Sequence, residues 1–386
     1  MNPGKKVKMG MIGGAGDAFI GAVHRMAASV DGQIELVCGA FSSHADKSIQ
    51  TGKDLGLADN RIYTSYQEMI LQEAKLPESE RMEFVSIVTP NHLHFEPCML
   101  ALDNGFHVLC EKPLALNVQE ATLLEQKIKA TGLLFGLMHN YTGYPMVKQA
   151  REMIQKGNLG KIRKVVVEYM QGWLTDRIET SGQKQASWRT DPTKAGISCC
   201  TGDIGTHAEN LAEYITGLKI QELAADVTSV VEGRTLDDDA SVLLRMENGV
   251  KGLLFCSQIA TGEQNELKIR VYGENGGLEW LQSEPNVLKL LWKDAPEQIY
   301  RTGAGKSYLS DAALAHTRLP GGHPEGYLEA MANLYRNFAY HIRAVKNSVD
   351  TNPLFDYPTI SDGVRGMRFI EAVIESGKQN ASWVKL

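Results

Sequence analysis

The chain has 386 residues, of which 43% are hydrophobic and 22% are charged, and its formal net charge at pH 7 is −6. This length suffices for two domains of roughly 100–200 residues each, while the negative charge disfavours a general nucleic-acid binder, which normally carries a basic stripe. No apolar run approaches the ~18 residues of a membrane span, and the N-terminal residues lack the features of a signal peptide. The six cysteines form no C-x-x-C pair, so a zinc knuckle or a disulfide framework is not expected. These features predict a reduced, cytoplasmic protein that binds neither nucleic acid nor membrane.

The first 140 residues alternate between apolar runs and amphipathic segments. Strands are predicted from residue 7 and at residues 34–41, 84–90, 107–113 and 132–140, with helices at residues 19–28, 45–55, 66–73 and 94–104 and another ending near residue 130. Such alternation predicts a parallel sheet that is covered by helices on both faces. We therefore expect an α/β fold that begins with a Rossmann dinucleotide-binding domain over residues 1–140.

A glycine-rich turn, with Gly13, Gly14 and Gly16, follows the first strand and leads into the helix that contains Phe19 and Ile20. Glycines let the backbone approach a pyrophosphate, and the free N–H groups and the dipole of the helix face its charge. A plain connection between a strand and a helix would use the same residues. The turn alone therefore does not decide between the two interpretations.

The end of the second predicted strand bears on which dinucleotide would bind. An NAD-binding sheet normally places a carboxylate there for the ribose hydroxyls, but this chain has Ser42 and Ser43, and its first acid is Asp46. Ser42 suits a hydroxyl or a phosphate oxygen, and Lys47 is near enough in sequence to meet a phosphate. NAD and NADP therefore both remain open, and a helix cap is an equal alternative for the serines.

Polar residues also follow the other predicted strands. Because ligands bind outside the carboxyl ends of the strands in such sheets, we expect cofactor contacts from these residues as well as from the glycine turn, its helix, the two serines and Lys47. The contacts predicted at the later strand ends are Thr89, Pro90, Asn91, His94, Glu111, Lys112 and Asn140. Core packing does not explain why so many polar residues fall at one edge of a sheet.

From residue 141 the spacing of the elements changes. A helix is predicted at residues 145–157, strands at residues 161–173, 222–231, 240–246, 251–259, 266–272 and 277–281, and long helices near residues 325–344 and 361–376. Closely spaced strands with short turns are typical of an antiparallel sheet. We expect a second α/β domain over residues 141–386 with a mainly antiparallel, open sheet. Its open face would expose residues such as Val165 and Val167 unless a second copy covered it.

Asp203 and His207 have the spacing of an acid–base pair. They lie four residues apart at the predicted start of a helix, so both side chains project from one face. The unperturbed pKa of histidine, about 6.5, lies near working pH and suits a general acid or base. A nearby carboxylate orients the imidazole and stabilises its charged form. The alternative is a helix cap beside a surface histidine.

No metal site is predicted. The acidic run at residues 236–240 has no histidine nearby, and a solvated turn before a strand accounts for it. His92 and His94 lie two residues apart beside Asn91, but the start of a helix over the dinucleotide is the better interpretation of that pair.

Four short motifs give the sequence a resemblance to a known family. They are GAVH at residues 21–24, TPNHLH at residues 89–94, CEKPLA at residues 110–115 and GDIGTH at residues 202–207. In combination they resemble the Gfo/Idh/MocA oxidoreductases, named after glucose-fructose oxidoreductase, inositol dehydrogenase and rhizopine catabolism. The chain departs from the family pattern in a glycine turn that is longer by two residues and in the missing strand-end acid.

The resemblance implies an NAD(P)-dependent dehydrogenase that moves a hydride between the nicotinamide and a secondary hydroxyl or ketone of a sugar, glycoside or cyclitol. It implies His207 as general acid/base, Asp203 as its partner and Lys112 as the ligand of the reacting oxygen. The second domain would bind substrate and form a homodimer or homotetramer. Two alternatives in the same superfamily are an NAD-dependent glycosidase that uses transient oxidation and a non-catalytic sugar or dinucleotide sensor, which has no need of a proton relay.

Several residues are candidates for contact with a sugar or polyol. An aromatic face suits a pyranose ring, and a guanidinium offers a fork of donors to hydroxyls. The predicted substrate contacts are Lys112, Tyr141, Tyr144, Trp188, Arg189, His207 and His323. A loop anchor would also explain Trp188, a surface ion pair would explain Arg189, and a helix cap is the better interpretation of His323.

Overall fold

The structure is a computed structural model that describes residues 5–16 and 18–386, and the chain divides into two compact units. Unit 1 runs up to Ala115 and includes Gln119–Asn140 and Leu328–Val364, whereas unit 2 consists of Leu116–Val118, Tyr141–Tyr327 and Arg365–Leu386. The predicted boundary between the domains at residue 140 stays a prediction. That prediction assigned residues 328–364 to the second domain, whereas they belong to unit 1.

Unit 1 is built on a parallel sheet. Its strands are β1 (Val7–Ile12), β2 (Ile34–Ala40), β3 (Phe84–Ile87), β4 (His107–Cys110) and β5 (Phe135–Leu137), and their order in the sheet is β2-β1-β3-β4-β5. The helices between them are α1 (Phe19–Val30), α2 (Ala45–Asp54), α3 (Tyr66–Glu73), α4 (Phe95–Asp103) and α5 (Val118–Thr131), with 3-10 turns at Asp59–Arg61 and Asn91–Leu93. β1 and β3 are buried along their whole length, as expected for a parallel sheet that is covered on both faces. The predicted Rossmann sheet is confirmed.

Unit 2 is built on a nine-stranded sheet. Its strands are β6 (Ile162–Met170), β7 (Ile220–Thr228), β8 (Asp239–Met246), β9 (Lys251–Ser257), β10 (Glu266–Gly273), β11 (Gly276–Leu281), β12 (Val287–Trp292), β13 (Gln298–Arg301) and β14 (Val384–Lys385). The order is β13-β12-β11-β10-β6-β9-β8-β7-β14. β6 and β9 are parallel, and the other neighbours are antiparallel. The mainly antiparallel sheet is therefore confirmed. β12 and β13 extend it beyond the predicted strands at one edge, and β14 extends it at the other.

The remaining helices pack on this sheet or return to unit 1. They are α6 (Pro145–Gln155), α7 (Lys184–Arg189), α8 (Pro192–Ala195), α9 (Thr206–Thr216), α10 (Asp311–Ala315), α11 (Tyr327–Lys346) and α12 (Ile360–Lys378), with 3-10 turns at Asn140–Gly143, Ile178–Ser181 and Glu247–Gly249 and a π-helical turn at Thr201–Gly205. Within residues 5–16 and 18–386, no helix has both the length and the apolar composition that crossing a membrane requires.

The exposure predicted for Val165 and Val167 is wrong. Side chains alternate between the two faces of a strand, and both of these valines point to the buried face of β6. The outward face carries Val166 instead, which pairs with Leu253 of β9. Leu253 in turn pairs with Leu243 of β8, whose side chain is 50% exposed. We call Val166, Leu253 and Leu243 the outer row.

A helix from the far end of the sequence covers the sheet of unit 1. Phe338 of α11 packs edge-on against Phe84 of β3, with 5.4 Å between the ring centroids. A Cβ at Gly136 of β5 would lie 3.3 Å from the same Phe338 ring. The dinucleotide-binding fold is thus completed by a segment that its first 140 residues do not contain.

Candidate functional site

The glycine turn after β1 adopts backbone conformations that favour glycine. Gly13 and Gly14 have φ angles of +85° and +74°, in the left-handed region. Gly21 of α1 packs so closely on the turn that a Cβ there would lie 2.3 Å from the Cα of Gly14, whereas Gly16 has open space where a side chain would be. Arg25 Nη1 donates a 2.7 Å hydrogen bond to the carbonyl oxygen of Gly14. Gly21 therefore acts in packing, and Arg25 fixes the turn.

Three features of unit 1 fit a bound dinucleotide. The cap residue of α1, Ala18, makes no side-chain hydrogen bond, and no acidic residue lies in the first turn of α1, so its N–H groups and dipole are available to a phosphate. Phe19, at the start of that helix, is 75% exposed, and Ile20 follows it. The open space at Gly16 is the second feature. The third is Asn140, which is buried after β5 and whose Nδ2 has no hydrogen-bond partner among the described residues.

The residues after β2 do not distinguish NAD from NADP by their contacts. The Ser42 hydroxyl accepts the N–H of His44 at 3.1 Å. This is a turn bond and not the helix cap offered as the alternative, because the cap residue of α2 is His44 and no side chain caps it. Ser43 is exposed, and Lys47 is half-buried in the first turn of α2. A hydroxyl bonded to its own turn still has a lone pair for a ligand, so a cofactor contact of Ser42 stays a prediction.

His94 connects the turns that follow β3 and β4. Its Nε2 lies 2.8 Å from the carbonyl oxygen of Thr89, and its Nδ1 lies 2.9 Å from that of Pro113. Burial outweighs these two carbonyls and lowers the pKa of His94, so the neutral ring donates to only one of them. A cofactor contact predicted for His94 would have to avoid its ring nitrogens. Pro90 is half-buried and Asn91 is buried in the same turn.

Glu111 and Lys112 follow β4 at the carboxyl edge of the sheet. Glu111 Oε1 lies 2.8 Å from Nε2 of His24, and Glu111 Oε2 accepts the backbone N–H of Lys112 at 3.1 Å. Burial alone would raise the pKa of Glu111, but the hydrogen bond from His24 and the charges of His24 and Lys112 lower it. The carboxylate is therefore ionised, and both of its oxygens have protein partners.

His139 is a functional candidate that the predicted site residues did not include. It is buried after β5, and burial together with the charge of Lys112 lowers the pKa of His139 to about 3. The imidazole is therefore neutral at working pH and adds no positive charge near Lys112. The sequence signal was its position at the end of a parallel strand.

The π-helical turn in unit 2 presents Asp203, and α9 begins immediately after it with His207 near its start. π-Turns inside helices are frequent at functional sites. Asp203 Oδ2 lies 3.1 Å from Nε of Arg189 and accepts a 2.9 Å hydrogen bond from Nε2 of Gln258. The Cys199 thiol lies 3.3 Å from Oε1 of Gln258, which fixes the orientation of that amide. Sequence reasoning missed Gln258, for which no motif gave a signal.

The acidic run before β8 is not the solvated turn that we expected. Asp237 and Asp238 are buried. Asp237 accepts the N–H groups of Cys199 and Thr201, both at 2.7 Å, and thereby holds the start of the π-turn. Asp238 accepts the N–H of Val230 at 2.8 Å. The prediction is wrong because backbone N–H groups give these carboxylates partners that allow burial. Among the residues that the structure describes, no three His, Cys, Asp or Glu side chains gather as metal ligands.

His207 stands against an aromatic hydrogen-bonded cluster. Its ring meets that of Tyr141 edge-on, with 4.8 Å between centroids, and only 6% of the residue is exposed. The hydroxyl of Tyr141 lies 2.5 Å from that of Tyr169. Asn265 accepts from Tyr169 at 2.8 Å and donates to Tyr141 at 3.1 Å. Gln171 Nε2 also donates to Asn265, at 2.7 Å. These hydrogen bonds hold the Tyr141 ring in place, and the Tyr141 ring in turn restricts the orientation of the His207 imidazole.

Of the other predicted substrate residues, Trp188 and Arg189 lie near Asp203, whereas Tyr144 lies in the core. Arg189 lies between two aromatic rings, 4.2 Å from the Trp188 centroid and 5.9 Å from that of Trp173, beside the Asp203 carboxylate. Tyr144 is instead buried against Trp280, 5.3 Å between centroids, and so belongs to the core of unit 2.

His323 is exposed in a turn, where its Nδ1 lies 3.2 Å from the carbonyl oxygen of Pro320. This contact lies within the turn before α11 and is not the helix cap that was predicted for His323, which stays a prediction. Its substrate contact stays a prediction, as does that of Tyr144, and neither position supports the contact.

Two family models match the chain. Residues 7–139 match the oxidoreductase family with an NAD-binding Rossmann fold, and residues 147–279 match the Gfo/Idh/MocA C-terminal domain. The uncharacterized oxidoreductase YfiI of Bacillus subtilis is 37% identical over 99% of this chain and 97% of its own length. The chain belongs to the Gfo/Idh/MocA family. It is an oxidoreductase, and its N-terminal part is an NAD-binding Rossmann domain.

Relatives within the Gfo/Idh/MocA family include dehydrogenases of cyclic substrates. An inositol dehydrogenase homolog from Azotobacter vinelandii, complexed with NAD+, is 35% identical, with a TM-score of 0.94 over 100% of this chain and 98% of that chain. A complex of the homolog with NADH and myo-inositol is 34% identical, with a TM-score of 0.91 over 99% and 98%. Levoglucosan dehydrogenase of Pseudarthrobacter phenanthrenivorans is 27% identical over 78% of this chain and 79% of its own length.

Proposed function

We propose that the chain is an NAD-dependent dehydrogenase that oxidises a secondary hydroxyl of a cyclic polyol, with an inositol-type cyclitol as the first candidate. The environment of His207 carries this proposal. The nearly buried imidazole of His207 contacts the ring of Tyr141. One helical turn earlier in the chain lies Asp203, whose carboxylate is bound by Arg189 and Gln258. The relative that was crystallised with NADH and myo-inositol supports the substrate class.

For the cofactor we infer contacts from the N-terminal end of α1, from the glycine turn before it and from the strand-end turns. The backbone N–H groups of Gly14 and Phe19 suit the pyrophosphate, whereas those of Ala15 and Gly16 donate to Phe41 and Thr51. The Asn140 amide suits a polar group of the dinucleotide. When bound, the nicotinamide supplies the hydride acceptor. Relatives complexed with NAD+ and NADH support NAD over NADP, and a measured preference for NADP would assign Lys47 to its phosphate.

The proton chemistry follows from the chain's own side chains. We propose that a ring nitrogen of His207 accepts the proton of the substrate hydroxyl while the hydride leaves the carbon that bears this hydroxyl. Asp203 stabilises the imidazolium that forms, and Tyr141 restrains the orientation of the ring. Lys112 donates a hydrogen bond to the reacting oxygen and favours its deprotonation.

The outer row supports a homo-oligomer that forms through the open face of the sheet in unit 2. Leu243 is half exposed at one end of an apolar row that crosses three strands, and exposed apolar patches mark interfaces. We expect a dimer or tetramer in light scattering at micromolar concentration, and Leu243→Glu should shift it toward the monomer. A wild-type monomer would contradict this proposal.

The decisive experiment is a substrate screen of the purified chain with NAD and with NADP. We expect NADH formation with myo-inositol or another inositol, and lower rates with free hexoses and levoglucosan. Lys112→Met is the matched control, because it removes the ammonium and retains much of the side-chain volume. Release of free sugar from a glycoside without net cofactor turnover would instead identify a redox-assisted glycosidase. NADH formation that Lys112→Met leaves intact would refute the proposed mechanism.

A further inference from the structure

We propose that His24 and Tyr335 are positioning residues, which hold the Glu111 carboxylate and thereby fix the turn that carries Lys112. The inference rests on the proposed function only in that Lys112 is assigned to the reacting oxygen. Four elements of unit 1 meet in this network, namely α1, α11, β3 and the turn after β4. We call it the Glu111 clamp, and its members are Glu111, His24, Tyr335 and Ser86.

The contacts of the clamp form one continuous series. Ser86 Oγ lies 2.7 Å from the hydroxyl of Tyr335, which lies 2.7 Å from Nδ1 of His24. Nε2 of His24 lies 2.8 Å from Oε1 of Glu111, and Glu111 Oε2 accepts the N–H of Lys112 at 3.1 Å. The series ends on the backbone of the residue to which we assign catalysis.

Each contact of the clamp joins a donor to an acceptor. With Glu111 ionised, His24 donates from Nε2 to the carboxylate, and its Nδ1 shares a hydrogen bond with the hydroxyl of Tyr335. The Tyr335 hydroxyl shares a second hydrogen bond with Ser86. His24, Tyr335 and Ser86 are all buried, His24 with 1% exposure. Because water does not reach them, removal of one partner leaves a buried donor or acceptor without a hydrogen bond, which is destabilising.

The two neighbouring side chains His24 and Arg25 face different turns. His24 reaches the turn after β4, while Arg25 Nη1 donates to the carbonyl oxygen of Gly14 in the glycine turn. A loss of His24 should therefore disturb Lys112, and a loss of Arg25 should disturb the binding of the dinucleotide. This contrast separates positioning of Lys112 from a general effect on α1.

The first readout needs neither cofactor nor substrate. The Lys112 amide is protected by the Glu111 carboxylate, so His24→Leu should speed hydrogen–deuterium exchange in the segment 108–114 of the apoprotein. His24→Gln retains a side-chain N–H donor for Glu111 and should restore most of the protection. Arg25→Met should leave this segment as in wild type. Unchanged exchange in folded His24→Leu, or equal exchange in the Leu and Gln variants, would overturn the clamp.

The second readout is kinetic. His24→Leu should lower kcat by roughly tenfold or more, because small displacements of a catalytic group cost that much, while the Kd for NAD stays near wild type. Arg25→Met should raise the Kd for NAD instead. If His24→Leu does not fold, Tyr335→Phe tests the same series, and wild-type exchange and kcat in that variant would overturn the inference. Loss of turnover in Lys112→Met with normal kcat in folded His24→Leu would refute the clamp alone, whereas an active Lys112→Met would refute the assigned role of Lys112.

Discussion

The two units hold their central carboxylates with different partners. In unit 1, Glu111 is bonded to an imidazole, His24, behind which stands the hydroxyl of Tyr335. In unit 2, Asp203 is paired with the guanidinium of Arg189 and with the amide of Gln258. The guanidinium is a permanent positive charge, whereas the imidazole holds Glu111 through a hydrogen bond within a buried series. The two carboxylates therefore differ in how much a formal charge contributes to holding them.

Other groups of the two units show the same contrast between imidazoles and guanidinium groups. Burial lowers the pKa of His94 in unit 1, and it lowers the pKa of His107 to about 4. In unit 2, the buried Arg234 bridges Glu179, at 2.9 Å, and Asp238, at 3.3 Å. Mild acid should therefore weaken unit 1 through His94 and His107, because the folded state disfavours the protonation of both buried rings.

The largest effect is expected from His207→Ala in unit 2. Turnover with the true substrate should fall by roughly a hundredfold or more, the usual scale for a lost general acid or base. The Kd for NAD should change little, because the imidazole is assigned to the substrate. Asp203→Asn should cost less, since Asp203 only orients and tunes the imidazole. Near-normal kcat for His207→Ala across neutral pH would show that another residue is the base. Lys112→Ala, for which we expect a loss of turnover as large as that of His207→Ala, would then be the variant to examine.

Asp237→Ala tests whether unit 2 holds its site through buried carboxylate contacts. The change leaves the N–H groups of Cys199 and Thr201 without their acceptor, and we expect the free energy of unfolding in urea to fall by about 2–3 kcal/mol. Asp191→Ala is the matched control, because Asp191 accepts the N–H of Thr193 at the exposed start of α8. That variant should lose about 1 kcal/mol or less. Equal losses would mean that burial adds nothing to the Asp237 contact.

His107→Gln measures the pH response of unit 1. His107 Nδ1 accepts the N–H of Leu134 at 3.0 Å, and burial lowers the pKa of His107 to about 4. Because the folded pKa lies below the unfolded value, the contribution is complete above pH ~6.5 and is lost as the pH falls toward 4. Wild type should therefore lose up to about 2 kcal/mol more than His107→Gln between pH 7.5 and pH 5. Parallel curves of unfolding free energy against pH would contradict this.

The smallest effect is expected from Arg189, which separates charge from stacking in unit 2. Arg189→Gln removes the charge beside Asp203 and should lower kcat/KM by about tenfold, equivalent to about 1.4 kcal/mol. Arg189→Lys retains the charge but not the planar group over Trp188, so it should fall between wild type and Arg189→Gln. A lysine variant as impaired as the glutamine variant would assign the role to stacking rather than to charge.

Much of unit 1 could be predicted because one rule of parallel sheets ties sequence position to space. Residues directly after the strands meet at one edge, so a linear reading already placed Gly14, Lys112 and Asn140 in one candidate region. The partners of Glu111 could not be predicted in this way. His24 lies 87 residues from Glu111, and Tyr335 lies 311 residues from His24. No local pattern connects such distant positions.

In unit 2 the local signals were weaker and once misleading. The D-x-x-x-H spacing identified Asp203 and His207, but the partners of Asp203 come from α7 and from the end of β9. The acidic run before β8 was interpreted from composition, which predicts solvation. Its burial depends on backbone N–H groups of a distant turn, and a sequence does not display those groups. β13 and the short helices α7, α8 and α10 lack the length that makes a periodic pattern recognisable.

The return of α11 to the first unit bears on how the protein is made. A ribosome that has released residues 1–140 has delivered all five strands of the parallel sheet but not the helix that covers Phe84 and Gly136. At roughly 5–20 residues per second, α11 follows only after about ten to forty seconds. During that interval an apolar face of the nascent sheet lacks its own cover and is a natural site for chaperone binding. A fragment that stops at residue 140 would remain in that state permanently.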